Sequence, residues 1–227
     1  MMKKKTLVLS AILLMSTLTL VVIATTRQRS KRMPITVESV ENRKESQDLR
    51  PLRDRAREAR RVEELKYPTR GQASADVAEL AARSSEVVIG TPVDNLSRLS
   101  ADGRSVTLDY KVKVEYVYKG TVKRGSTITV SLPGGKLMFD DGSTAEVQTP
   151  WFKKMLNGQT YALFLKPGEA AEIFTTVGEA QGVFGIPTTQ NDQAVSIHTG
   201  IKGDAMLKYN NMNVRSFLKE VRRATGK

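Results

Sequence analysis

The sequence predicts a mainly β domain, a small antiparallel meander or barrel with helices at its margins. Three observations predict it. From Val106 to Tyr118 every even position is apolar, while the odd positions include Thr107, Asp109, Lys111, Lys113 and Glu115. That period of two puts one strand face on a core and the other in water. Shorter alternating stretches follow, set off by Gly, Pro or Asn/Asp, so that successive hairpins connect them. Finally, 227 residues with 40% hydrophobic and 26% charged side chains have the composition of a globular chain.

In chain order, Thr6 to Thr26 comes first, uncharged and preceded by Lys3, Lys4 and Lys5. A helix over that run reaches about 30 Å, the thickness of a bilayer's hydrocarbon core. Residues 1–26 are therefore expected to be a signal-anchor that engages the membrane through residues 6–26. The alternative is a signal peptide cleaved after Val22-Ile23-Ala24, leaving a secreted or periplasmic protein. Arg27, Arg29, Lys31 and Arg32 nearly balance the lysines before the span, so charge alone leaves the orientation open. The N-terminal position of the segment and the absence of cysteine favour a body outside the cytoplasm, at the cell envelope, over the alternative of a cytoplasm-facing body.

Residues 27–72 read as a basic juxtamembrane linker. Pro51 is placed to open a polar helix running to about Lys66, stopped by Pro68 and Gly71. Its apolar stripe of Leu52, Ala56, Ala59 and Leu65 is thin, which predicts a solvated stalk. The domain proper is expected over 73–200, led by a helix with Ser74 as N-cap and Val77, Leu80 and Ala81 on its inner face.

Within the body, Val87 to Leu96 is expected beside the long strand, joined to it through the turn pair Asp102-Gly103. Ile128, Val130 and Leu132 alternate with Thr127, Thr129 and Ser131 until Pro133-Gly134-Gly135. Further strands are expected over 160–166, 172–177, 182–186 and 194–198. Residues 201–227 end in an amphipathic helix capped by Asn213, with Val214, Phe217, Leu218 and Val221 on one face. Short connections favour an antiparallel barrel.

Composition excludes much chemistry. Without cysteine there is no disulfide framework, thiolate metal site or cysteine nucleophile, and one histidine cannot build a multi-histidine site. No cofactor, metal site or catalytic residue is expected. The net charge of +12 suggests a nucleic-acid partner only if the folded body carries it, and residues 71–214 sum to −1. The excess lies at the two ends, so no nucleic acid is expected.

Several motifs carry a resemblance: Glu86-Val87-Val88-Ile89-Gly90-Thr91, Tyr116-Val117-Tyr118-Lys119-Gly120, Val130 to Gly135, Asn157-Gly158-Gln159-Thr160-Tyr161 leading into Leu163-Phe164-Leu165, and Gln181-Gly182-Val183-Phe184. Together, over about residues 76–186, they resemble exported bacterial proteins of unknown function. Those proteins in turn resemble the OB-type barrel of netrin C-terminal modules and tissue inhibitors of metalloproteinases. The resemblance implies a small OB/NTR-like barrel. The inhibitors chelate metal through an N-terminal cysteine, so that activity does not transfer to a chain without one.

His198 has no carboxylate nearby to orient it as a base. Asp140-Asp141-Gly142-Ser143 reads as a hairpin turn, because it lacks the ligand spacing of a calcium loop. Gly178, Gly182 and Gly185 open no helix and form no phosphate loop. Asn95-Leu96-Ser97 matches a glycosylation acceptor that a bacterial protein leaves idle. The segment 136–152 is longer than a hairpin needs. Phe139, Trp151 and Phe152 are candidate apolar anchors there, with Asp140 and Asp141 supplying charge; the alternative is that Phe139 and Trp151 plug a barrel end. The expected function is a non-catalytic binding or interaction module for an unknown protein or envelope ligand. An enzyme whose acids meet only in the fold, or a single-strand nucleic-acid binder, are the alternatives.

Overall fold

The computed structural model describes residues 50–66, 74–150, 152–168, 170, 172–187, 193–196 and 205–227. The chain from Asp48 to Lys227 forms one compact unit. Its first elements are α1 (Leu52–Ala59), β1 (Arg61–Leu65) and α2 (Val77–Arg83), followed by a long hairpin of β2 (Glu86–Leu99) and β3 (Val106–Lys119). Then come β4 (Thr127–Pro133), β5 (Gly135–Met138), β6 (Thr144–Gln148), β7 (Thr160–Pro167) and β8 (Ile173–Thr176). The chain closes with β9 (Val183–Ile186), β10 (Gln193–Ser196), β11 (Met212–Asn213) and α3 (Val214–Thr225).

The alternating stretch is β3, and it lies between β2 and β4. Val106, Tyr110, Val112 and Val114 are buried, and Lys111, Lys113 and Glu115 are exposed. The alternation then breaks. Pairing with β2 skips Glu115 and Tyr118, while Val93 is skipped on β2. Each extra residue turns the side chains beyond it to the other face. Val117 therefore packs on the cluster that holds Val112, whereas Tyr118 joins the opposite cluster and Tyr116 is 42% exposed. Gly90 sits at one of these shifts, where a Cβ would lie 2.6 Å from Val112 Cγ1 and 2.8 Å from the Lys113 carbonyl.

The larger sheet has the order β11-β10-β9-β7-β2-β3-β4-β8, and β8 pairs again with β7. It is a mixed sheet, which corrects the expectation of an antiparallel one. The pairings β7–β2–β3–β4–β8 return to β7, a cycle of five strands. Directions cannot alternate all the way round an odd cycle, so one pair must be parallel, and that pair is β4–β8. A second sheet, β5–β6–β1, is also mixed, with β1 parallel to β6.

Three apolar clusters hold these layers together. The first gathers Tyr110, Val112, Val130, Leu163 and Leu165 inside the strand cycle. The second lies between the sheet and the helices α2 and α3, where Phe184 packs at 4.7 Å from Phe217 and 5.8 Å from Phe164. The third joins Leu52, Ala56, Val62, Val106, Phe139, Ala145 and Val147.

That third cluster overturns the reading of residues 51–66 as a solvated helix. The helix stops at Ala59 because Arg60 takes a left-handed conformation, φ 63°. The chain then enters β1, whose Val62 is buried beside Leu52 and Ala56. A segment assigned to the linker therefore belongs in part to the body. The leading helix is also capped differently. Asp76, not Ser74, accepts the Glu79 amide at 2.8 Å, and the Ser74 amide instead donates to Gln181 Oε1 at 2.7 Å. Asn213 caps α3 as the sequence indicates, accepting from the amides of Arg215 and Ser216. Among the described residues no helix is long and apolar enough to cross a membrane, and the expected anchor over 6–26 lies outside them.

Candidate functional site

The segment 136–152 is not a long loop. Lys136 to Met138 and Thr144 to Gln148 are the strands of a hairpin, and Asp140 to Ser143 form its turn. The Asp141 carboxylate builds that turn by accepting from the Ser143 hydroxyl at 2.6 Å and the Ser143 amide at 3.0 Å. These two bonds, with Arg57 beside them, hold the Asp141 carboxyl down to about 2.

Helix α1 covers this turn. Arg53 meets Asp140 at 2.8 Å and stands 5.9 Å from the Phe139 ring centre, and Arg57 meets Asp141 at 3.3 Å. Phe139 is 8% exposed in the third cluster, and Phe152 is 8% exposed in the first. Thus Phe139, Asp140 and Asp141 come together, but they face the chain's own helix. Phe152 packs in a different cluster, and Trp151 lies outside the described residues, as does His198.

A different place gathers polar groups that are not consumed by packing. It is a cleft of about 560 Å³ at the end of the strand cycle, where β2 finishes, β3 begins and the chain turns from β7 into β8. Strand register explains why its side chains share a face. Lys166 stands opposite Thr175, Thr175 opposite Ser131, and Ser131 opposite Asp109. Asp109 is 9% exposed and ion-pairs through Oδ2 with Arg98 at 2.9 Å, which fixes the guanidinium at the cleft margin. Lys66 adds a third cation, and Glu179 a carboxylate.

Thr176 also borders the cleft. It is 3% exposed, and its Oγ1 has no hydrogen-bond partner among the described residues. That hydroxyl is closed to the cleft: Thr176 follows Thr175 in β8 and points to the other face, opposite the buried Leu165, and burying it without a partner costs stability. At the margin, the turn that carries Ser100 and Ala101 into the cleft is stiffened by Asp102. Its carboxyl is held below the usual range first by the Ser100 hydroxyl and then by the Arg104 amide.

Sequence reasoning missed Lys66, Arg98 and Lys166. They come from three distant segments, and none carries a motif. The legible trace was the outward face of the alternating strands, which includes Thr107 and Ser131. Among the described residues no group of three or more His, Cys, Asp or Glu is placed to hold a metal ion. Compared with known protein families and with curated proteins, the chain matches none.

Proposed function

We propose that this chain is a non-catalytic binding module of the bacterial cell envelope, with the cleft between β2, β4, β7 and β8 as its anion-binding site. The five-strand cycle is read as a small barrel of the OB type, consistent with the netrin-like motifs that frame it. One observation carries the site: Lys66, Arg98 and Lys166 line one cleft together with Thr175 and Ser131, on strand ends whose backbone is fixed by pairing. Arg98 is held by Asp109 and Glu179 lines the same cleft, so the positive character rests on Lys66 and Lys166. Placement at the envelope rests on the hydrophobic run at 6–26.

Among the described residues no aromatic side chain lines the cleft, and these residues offer bases no stacking platform. That favours a small anion over a single-stranded nucleic acid. The test is a titration of the full chain with inorganic phosphate, followed by the methyl resonances of Thr175, Thr176 and Ile173. A saturable shift confined to those groups, and lost in Lys166→Gln, is expected. Shifts spread over exposed lysines without saturation, or none at all, would overturn the proposal.

A further inference from the structure

We infer that the ligand of this cleft is an aliphatic anion, an alkyl or acyl chain ending in a carboxylate or a phosphate monoester. This rests on reading the cleft as the ligand site and adds the chemistry of the body attached to the charge.

The walls decide it. Besides its cations and hydroxyls, the cleft is lined by Leu99, Pro133, Pro167 and Ile173, none of them fully buried. At about 560 Å³ it has the size of a small-molecule site and far exceeds what an inorganic ion fills. A bare ion would leave these apolar groups wet, whereas a chain of methylenes covers them, each buried methylene tightening binding about fourfold.

The floor argues against an extended peptide. Both β4 and β8 are paired on two sides, so they present side chains and no free ladder to which a strand could add. The polar end is set by Lys66 and Lys166, with Thr175 and Ser131 in the same cleft. An anionic oxygen meets the positive charge and accepts from hydroxyl donors at once, and a neutral alcohol only the second.

The experiment uses the full chain and four water-soluble probes: hexanoate, hexyl phosphate, hexanol and acetate. Binding is followed by the methyl resonances of Thr176, Ile173 and Leu132. At least one of the six-carbon anions is expected to bind about tenfold or more tighter than both hexanol and acetate, and the comparison of the two anions identifies the head group. In Lys166→Gln the preference for the anion over hexanol should fall, with hexanol binding kept; Lys66→Gln provides the same comparison at the second lysine. Equal binding of acetate and hexanoate would overturn the aliphatic body while leaving an anion site. Equal binding of hexanol and both six-carbon anions would overturn the charged head. Absence of any shift with any anion would overturn the cleft as an anion site altogether.

Discussion

Gly120 lies directly under the carboxylate of Glu86: a Cβ at position 120 would stand 1.8 Å from Glu86 Oε2. The two residues come from motifs far apart in sequence, and their contact closes the β3–β4 turn. Glu86, 5% exposed, accepts the amides of Thr121 at 2.9 Å and Val122 at 3.1 Å, and Gly120 at φ +106° lets the backbone pass beneath it. Gly120→Ala should therefore lose about 1–3 kcal/mol to backbone strain and more to the displaced carboxylate. Glu86→Gln keeps the shape but turns one acceptor into a donor, and should cost about 1–3 kcal/mol. Denaturant unfolding of both variants checks this, and a neutral Gly120→Ala would refute the contact.

Tyr116 and Tyr118 have the same parity along β3, yet one is exposed and the other is 4% exposed under the helices. Tyr118→Ala should cost about 3–5 kcal/mol, as large core truncations do, and Tyr116→Ser less than about 1 kcal/mol. Equal losses would mean that the skipped residues do not turn the faces.

This pair also shows where the sequence stops being readable. Alternation fixes the core face as far as Val114, because β3 skips no residue before Glu115 and keeps one period up to it. Beyond it, Tyr116, Val117 and Tyr118 are all apolar, and only the pairing with β2 decides which one enters which cluster. β1 was hidden for a similar reason. Arg61-Val62-Glu63-Glu64-Leu65 reads as more of the polar helix, and its strand state comes from pairing with β6 and from one buried valine. Asn213 was legible because a cap is local chemistry. The cleft was not, because Lys66, Arg98 and Lys166 come to line it only through the fold.

Helix α1 is held by apolar burial more than by its arginines. Leu52 and Ala56 are fully buried, whereas Arg53 and Asp140 are 47% and 93% exposed at their side chains. Leu52→Ala should cost about 2–5 kcal/mol, and Arg53→Ala no more than about 1 kcal/mol. Limited proteolysis at α1 reports the difference. Rapid cleavage in the Arg53 variant alone would reverse the assignment.

Asp141 gives the turn beneath α1 a defined pH dependence. Its folded-state value of about 2 lies below the ordinary 3.8, so the carboxylate contributes stability that is complete above 3.8 and is lost as the pH falls toward 2. Asp141→Asn lacks this contribution. The melting temperatures of the two proteins should differ by a constant amount above pH 3.8 and converge as the pH approaches 2. Other carboxylates titrate in both proteins and cancel in the difference. A gap unchanged down to pH 2 would show that the contacts with Ser143 and Arg57 do not favour the ionised form.

Thr176 is the residue at which binding and stability should part. Its Oγ1 is buried without a partner among the described residues, so folding desolvates the hydroxyl and returns nothing for it. Thr176→Val keeps the branched shape and removes that penalty. Most core polar substitutions destabilise, but this one should leave the free chain equally stable or raise its stability by up to about 1–2 kcal/mol. The same change should leave capture of an aliphatic anion nearly unchanged, because the hydroxyl is closed to the cleft that its residue borders. Thermal melts with and without hexanoate on native chain and variant give both numbers. A clear loss of stability in the ligand-free variant would show that the hydroxyl already has a structural partner.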